Sequence, residues 1–132
     1  MRVLAVLVAA LAVTGCGGKS AAPSDDARGN ASLEISISNG GKDTLTKVWT
    51  LNCPAADGTL PDAEQACRNL ERLDDPFGPV PKTIACTEVY GGPQVAEVHG
   101  TFRDKPVNAD FRRTNGCEIA RWNRVLFLFP DT

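Results

Sequence analysis

Apolar and polar residues alternate with the period of a half-buried strand just after the first 30 residues, where polar positions separate Leu33, Ile35 and Ile37. Four later runs are rich in β-branched and aromatic residues, which favours strands. These runs are residues 48–53, 95–102, 107–111 and 125–129. The last run is apolar on both faces, so we predict that it forms a central strand of the sheet.

The main helix is predicted at residues 60–73. Pro61 and Asp62 suit a first helical turn, and apolar residues then recur at spacings of three and four, which gives one stripe for the core. Residues 118–123 are predicted to form one short helical turn. Strands with two helical pieces among them indicate an α+β domain, in which an antiparallel sheet is covered by a helix.

The N-terminus has the pattern of a bacterial export signal. Arg2 precedes an apolar run at 3–14, which is too short to span a bilayer, since that takes about 20 residues. The run ends in Val13-Thr14-Gly15-Cys16, which is typical of a lipobox, so we expect Cys16 to become the lipidated first residue of the mature chain. The alternative is an ordinary signal peptide followed by a chance cysteine.

These patterns divide the chain into three parts. We predict a lipoprotein signal peptide at 1–15, a flexible tether at 16–30, where Gly, Ser and Ala are frequent, and a folded domain at 31–132. The protein is then exported. It is either anchored by its lipid to the outer face of the bacterial cell membrane or secreted.

Cysteine content agrees with export. The chain has five cysteines, and lipidation of Cys16 leaves four that can form two disulfides, namely Cys53, Cys67, Cys86 and Cys117. Spacing alone cannot choose among the three pairings that four cysteines allow. No CxxC motif occurs and His99 is the only histidine, so no metal site is predicted.

Charge and chemistry argue against two further classes of protein. The net charge of −2 provides no basic excess for binding nucleic acid. With a single histidine, the sequence contains no plausible Ser/His/Asp or Cys/His arrangement, so the protein is not expected to be an enzyme. No cofactor is implied.

Three groups of residues resemble the Streptomyces-type subtilisin inhibitors. They are Gly58-Thr59 with Pro61, Ala66-Cys67 and Leu70; Cys86-Thr87-Glu88-Val89-Tyr90, followed by Gly100; and Asn115-Gly116-Cys117-Glu118. The resemblance covers residues 32–129. It implies the pairings Cys53–Cys67 and Cys86–Cys117, and a five-stranded antiparallel sheet with one main helix and one short helix. Family members commonly form dimers, so a homodimer is also implied.

The resemblance implies that the protein is a serine-type endopeptidase inhibitor. Its reactive-site loop would be Cys86, Thr87, Glu88, Val89 and Tyr90, with the reactive bond between Glu88 and Val89 and with Asn115 bracing the loop backbone. The family usually has Met, Lys or Arg at the position of Glu88 and Pro at that of Thr87. The expected partner is therefore an extracellular protease, either subtilisin-like or a glutamyl endopeptidase.

A different function stays open. The same fold could serve as a protein-binding module of the cell envelope that inhibits no protease, because a fold does not determine a function.

Overall fold

A computed structural model of the chain describes residues 29–41 and 46–132. The predicted signal peptide, the lipidation site Cys16 and the predicted tether as far as residue 28 lie outside the described residues. None of the helices described has both the length and the hydrophobicity needed to cross a membrane.

Five strands form one antiparallel sheet in the order β3-β2-β1-β4-β5, which confirms the predicted α+β fold. The elements follow the chain as β1 Ala31–Ser38, β2 Lys47–Cys53, β3 Asp57–Gly58, α1 Ala63–Glu71, β4 Val95–Phe102, β5 Lys105–Phe111 and α2 Gly116–Arg124, followed by a 3₁₀ helix at Leu126–Leu128.

The predicted strand at 125–129 is wrong. Helix α2 ends at Arg124 and the chain continues as the 3₁₀ helix, which buries Val125, Leu128 and Phe129. A short apolar run suits a buried strand or a buried helical turn equally well, so its period could not decide between them. The fifth strand is instead β3, which has two residues and pairs Gly58 with Leu51.

Both helices also differ in extent from their predicted ranges. Helix α1 begins at Ala63 rather than at residue 60, because Asp62 has a left-handed conformation with φ 53°. Helix α2 is nine residues long, as α1 is, and is not the single turn expected at 118–123. Its first residue, Gly116, follows an Asn N-cap, which is a favourable helix start.

The core lies between one face of the sheet and the helical layer. Along β1, Leu33, Ile35 and Ile37 are buried while Ser32 and Glu34 are exposed, which confirms the predicted period of two. Trp122 of α2 packs against Phe129 with ring centroids 4.6 Å apart, and Phe129 packs against Phe111 of β5 at 5.3 Å. Burying each such side chain contributes about 1.5–3 kcal/mol.

Strand register defines two ends of the sheet. At the proximal end, Ala31 of β1 pairs with Cys53 of β2 and with Phe102 of β4. At the distal end, Ile37 pairs with Lys47 and with Ala96, and Ala96 also pairs with Phe111 of β5. The disulfide Cys53–Cys67 joins the end of β2 to α1, as the resemblance implied. Closing a loop of this size stabilises a protein by about 3 kcal/mol in the chain-entropy view.

Gly100 allows β4 to pair closely with β1. Its φ of +135° is a conformation that residues with side chains rarely adopt, and an added Cβ would lie 2.0 Å from the carbonyl oxygen of Ser32. We therefore expect Gly100→Ala to lower the free energy of unfolding by at least about 3 kcal/mol. Urea titration measures this, with Thr101→Ala as the control because Thr101 is exposed on the same strand. Equal midpoints for the two variants would contradict the assignment.

Candidate functional site

A long irregular connection between α1 and β4 carries the predicted reactive-site loop. Thr87, Glu88, Val89 and Tyr90 are all exposed, Val89 to 55% and Tyr90 to 67%. Ile84, Val89 and Tyr90 are three of the five large apolar side chains that are exposed in the described part of the chain. Exposed apolar side chains that lie close together in sequence are typical of an interaction surface.

The N-terminal side of the loop is fixed by two contacts. Cys86 forms a disulfide with Cys117, as the resemblance implied, and their Cα atoms lie 5.3 Å apart. One residue further on, the carbonyl oxygen of Thr87 accepts a hydrogen bond of 2.9 Å from the N–H of Gly116. Since Gly116 and Cys117 begin helix α2, the backbone before Glu88 is tied to a regular element.

The C-terminal side of the loop is fixed by one contact. The N–H of Gly91 donates a hydrogen bond of 2.7 Å to the carbonyl oxygen of Arg113. All three contacts therefore come from residues Arg113 to Cys117, which we call the anchor segment. Glu88, Val89 and Tyr90 lie between the fixed positions at Thr87 and Gly91, and their backbone has no hydrogen bond to the rest of the described chain.

The anchor segment is itself held by the core. It follows Phe111, the fully buried last residue of β5, and it leads into α2, whose Trp122 is 1% exposed. The guanidinium of Arg113 lies 5.9 Å from the centre of the Trp122 ring, and its Nη1 donates a long hydrogen bond of 3.4 Å to Gln94 Oε1. The anchor segment thus joins two packed elements and has little freedom to move.

Asn115 has a different contact from the predicted one. Its side-chain Oδ1 accepts a hydrogen bond of 2.9 Å from the N–H of Glu118, which makes Asn115 the N-cap of α2. The hydrogen bond to the loop comes from the neighbouring N–H of Gly116. A direct brace from the Asn115 side chain to the loop stays a prediction.

Glu88 is left open to a partner. Across residues 29–41 and 46–132, no ion pair involves its carboxylate, and the backbone groups of Glu88, Val89 and Tyr90 make no hydrogen bonds. Backbone N–H and C=O groups that are unused within a chain can pair with the edge of a partner's sheet. The same described residues contain no group of three or more His, Cys, Asp or Glu side chains placed to hold a metal ion.

Arg121, which no sequence pattern singled out, ties the start of the connection to the core. Its Nε donates a hydrogen bond of 2.7 Å to the carbonyl oxygen of Gly78, and its Nη1 donates to that of Asp110. The guanidinium also lies 4.1 Å from the centre of the Phe111 ring. These partners are backbone carbonyls and a ring distant in sequence, so no local pattern could have identified them.

Comparison with known proteins gives one family match and two relatives. The subtilisin inhibitor-like family model matches residues 29–115, which run from the start of the described chain into the anchor segment. Plasminostreptin of Streptomyces antifibrinolyticus is 34% identical over 86 residues, covering 63% of this chain and 78% of that protein. A transglutaminase-activating metalloprotease inhibitor of Streptomyces mobaraensis is 28% identical over 106 residues, covering 75% and 71% respectively.

A side chain at position 116 would meet the side chain of Thr87. An added Cβ would lie 2.0 Å from Thr87 Oγ1 and 3.3 Å from Thr87 Cβ. Alanine in place of glycine normally stabilises a helix by about 0.5–1 kcal/mol. Here we expect Gly116→Ala to give none of this gain and to destabilise the protein by up to about 1 kcal/mol, because the Thr87 side chain must rotate to make room. Urea titration measures the change, and hydrogen exchange at the amide of residue 116 should stay slow, because the Thr87 carbonyl oxygen would lie 3.6 Å from the added Cβ, which is an ordinary contact.

A double variant isolates this contact. Thr87→Ala removes the Oγ1 that an alanine at 116 would meet, so Gly116→Ala should be less destabilising in the Thr87→Ala background than in the parent. Equal effects of Gly116→Ala in the two backgrounds would show that the Thr87 side chain does not lie against residue 116.

Proposed function

The chain belongs to the subtilisin inhibitor-like family, and on this premise we propose that it is an exported inhibitor of serine endopeptidases that offers Glu88–Val89 as its reactive bond. The family comprises protease inhibitors rather than enzymes. Membership of the family does not identify the reactive bond, the class of target protease or the location of the protein, and we propose these three here.

The observation that carries this proposal is that the loop is exposed at its centre and tied on both sides. A protease must straighten a flexible substrate before cleaving it, which costs conformational entropy at binding. In this loop, the disulfide at Cys86 and the hydrogen bonds at Thr87 and Gly91 impose that order when the protein folds. Binding energy is then not consumed in ordering the backbone of Glu88 and Val89.

The same contacts explain why cleavage would not release the target. If the protease cut Glu88–Val89, the new carboxyl end would still be tied through Cys86, two residues away. The new amino end would be retained by the hydrogen bond between Gly91 and Arg113. Because neither end can diffuse away, re-formation of the bond competes with dissociation, and the protease stays occupied.

Glu88 determines which proteases suit this loop. Burying a carboxylate in a specificity pocket is costly unless the pocket supplies a cation or several hydrogen-bond donors. A glutamyl endopeptidase supplies such groups, whereas an apolar subtilisin pocket supplies fewer. We therefore assign the glutamyl endopeptidases as the preferred target class, and subtilisin-like enzymes as weaker targets.

Two independent features of the chain indicate where the protein is located. The two disulfides favour an oxidising compartment outside the cytoplasm. The apolar run at 3–14 and the motif ending in Cys16 favour export with a lipid on Cys16. We therefore place the protein on the outer face of the bacterial cell membrane, with the folded domain in the surrounding medium.

Inhibition constants for Glu88 variants test the reactive bond. Glu88→Gln keeps the shape of the side chain and removes its charge, so inhibition of a glutamyl endopeptidase should weaken by about 30-fold or more, equivalent to about 2 kcal/mol. Glu88→Met should instead strengthen inhibition of subtilisin. Glu34→Gln is the matched control, because Glu34 is exposed on β1 and should change neither constant.

The panel should include a metalloprotease, because one relative is named as the inhibitor of such an enzyme. Inhibition that is unaffected by either Glu88 variant would remove this residue from the mechanism. An absence of any stoichiometric complex with the proteases tested would favour the alternative of a non-inhibitory binding module. Rapid cleavage at Glu88–Val89 with full recovery of protease activity would show that the loop is a substrate.

Cys16→Ser tests the anchor separately. The variant lacks the thiol that accepts the lipid, so we expect it to leave the membrane fraction and to lack the diacylglyceryl mass increment. Ser20→Ala is the control and should stay with the membrane. A parent protein whose mature mass carries no lipid would refute the anchor without affecting the inhibitory loop.

A further inference from the structure

The described chain begins at the proximal end of the sheet. Ala31, the first residue of β1, pairs with Phe102, the last residue of β4. Just before it, the carbonyl oxygen of Asn30 accepts a hydrogen bond of 2.8 Å from the N–H of Arg103. Gly29 lies against the end of α1, since an added Cβ there would contact the Glu71 carboxylate. Whatever precedes Gly29 therefore joins the domain beside the turn between β4 and β5.

The reactive loop lies at the opposite end. The loop leads into Val95, the first residue of β4. The N–H of Gly91 is hydrogen-bonded to the carbonyl oxygen of Arg113, which lies two residues after the end of β5. Ala96 and Phe102 are the residues of β4 that mark the distal and proximal ends. At about 3.3 Å per strand residue, these two ends are about 20 Å apart.

We propose that the tether joins the domain at the end opposite the reactive loop, so that the loop lies on average farther from the membrane than the proximal end does and its partners are soluble proteases that arrive from the medium. This inference rests on the proposed lipid at Cys16 and on the proposed reactive bond. A protease–inhibitor interface buries roughly 800 Å² on each partner. An interface of that size around Glu88 covers the distal end of the domain, while the chain continues toward the membrane from the proximal end.

The distance to the membrane is compatible with this arrangement. Twelve residues lie between Cys16 and Gly29, which makes thirteen steps from Cα to Cα, and an extended chain spans at most about 3.5 Å per step. The proximal end therefore stays within roughly 45 Å of the lipid. The loop lies a further length of the sheet from this attachment point, so its average distance from the bilayer is the greater one even though the tether is predicted to be flexible.

The C-terminus provides the matched control for this geometry. Asp131 forms an ion pair with Lys47, the first residue of β2, with 3.1 Å between Oδ2 and Nζ. Lys47 pairs with Ile37 at the distal end of the sheet. A chain anchored through its C-terminus would therefore turn the reactive loop toward the membrane without any change to the loop itself.

Energy transfer to the membrane surface tests the orientation. The full-length lipidated protein is placed in phosphatidylcholine vesicles that carry an acceptor dye on their headgroups. A fluorescent amino acid replaces either Asp104, in the turn at the proximal end, or Tyr90, in the loop. We expect transfer to be more efficient from position 104 than from position 90. Equal efficiencies, or more efficient transfer from position 90, would overturn the proposal.

The reversed anchor completes the experiment. The mature chain with Cys16→Ser is attached to the same vesicles through a lipid on a residue added after Thr132, and the order of the two efficiencies should then reverse. A soluble protease should associate with the native arrangement within about twofold of its rate in detergent, and at least ten times more slowly with the reversed one. Equal association rates for the two anchors would contradict the inference.

Failure of the underlying function gives a different result. A chain that does not inhibit any protease in detergent refutes the proposed reactive bond, while energy transfer still measures the orientation of the domain. A chain whose mature mass lacks the lipid refutes the anchor, and with it this inference.

Discussion

The attachment of the loop at residues 87–91 to the anchor segment is the constraint on which the proposed inhibitory function depends. The carbonyl oxygen of Thr87 accepts a hydrogen bond from this five-residue segment, and the N–H of Gly91 donates one to it. Cys86 is covalently bound to the same segment. Because β5 ends in the buried Phe111 and α2 begins directly afterwards, this stretch cannot shift without disturbing the core. The backbone of the exposed loop is therefore held in place by the core, while the side chains of the loop remain exposed to solvent.

Residues that pack in or against the core therefore also determine where the loop lies. Trp122 and Phe129 fill the space beneath α2 and, with Phe111, fix where the helix lies against the sheet. Arg121 projects from the same helix and bonds the carbonyl of Gly78, which fixes where the long connection leaves the core. The exposed side chains at the loop centre can therefore be changed without disturbing this framework.

Much of the fold was predictable from the sequence, because β1, β2, β4 and β5 show periods or compositions that only a strand explains well. The final apolar run was not, since Val125, Leu128 and Phe129 suit a buried helical turn as well as a strand. The disulfide pairing came from the resemblance and not from spacing. The roles of Gly116, Arg113 and Arg121 were not predicted because these residues act through main-chain atoms or on distant carbonyls, which leave no mark in the local sequence.

The central claim is that the unsupported centre of the loop is rigid before any protease binds, and backbone order parameters from ¹⁵N relaxation measure this directly. Glu88, Val89 and Tyr90 should have values near 0.85 in the oxidised protein, as ordered backbone does, and should fall below about 0.6 when Cys86 and Cys117 are both replaced by Ser. Values below about 0.6 in the oxidised protein itself would contradict the account.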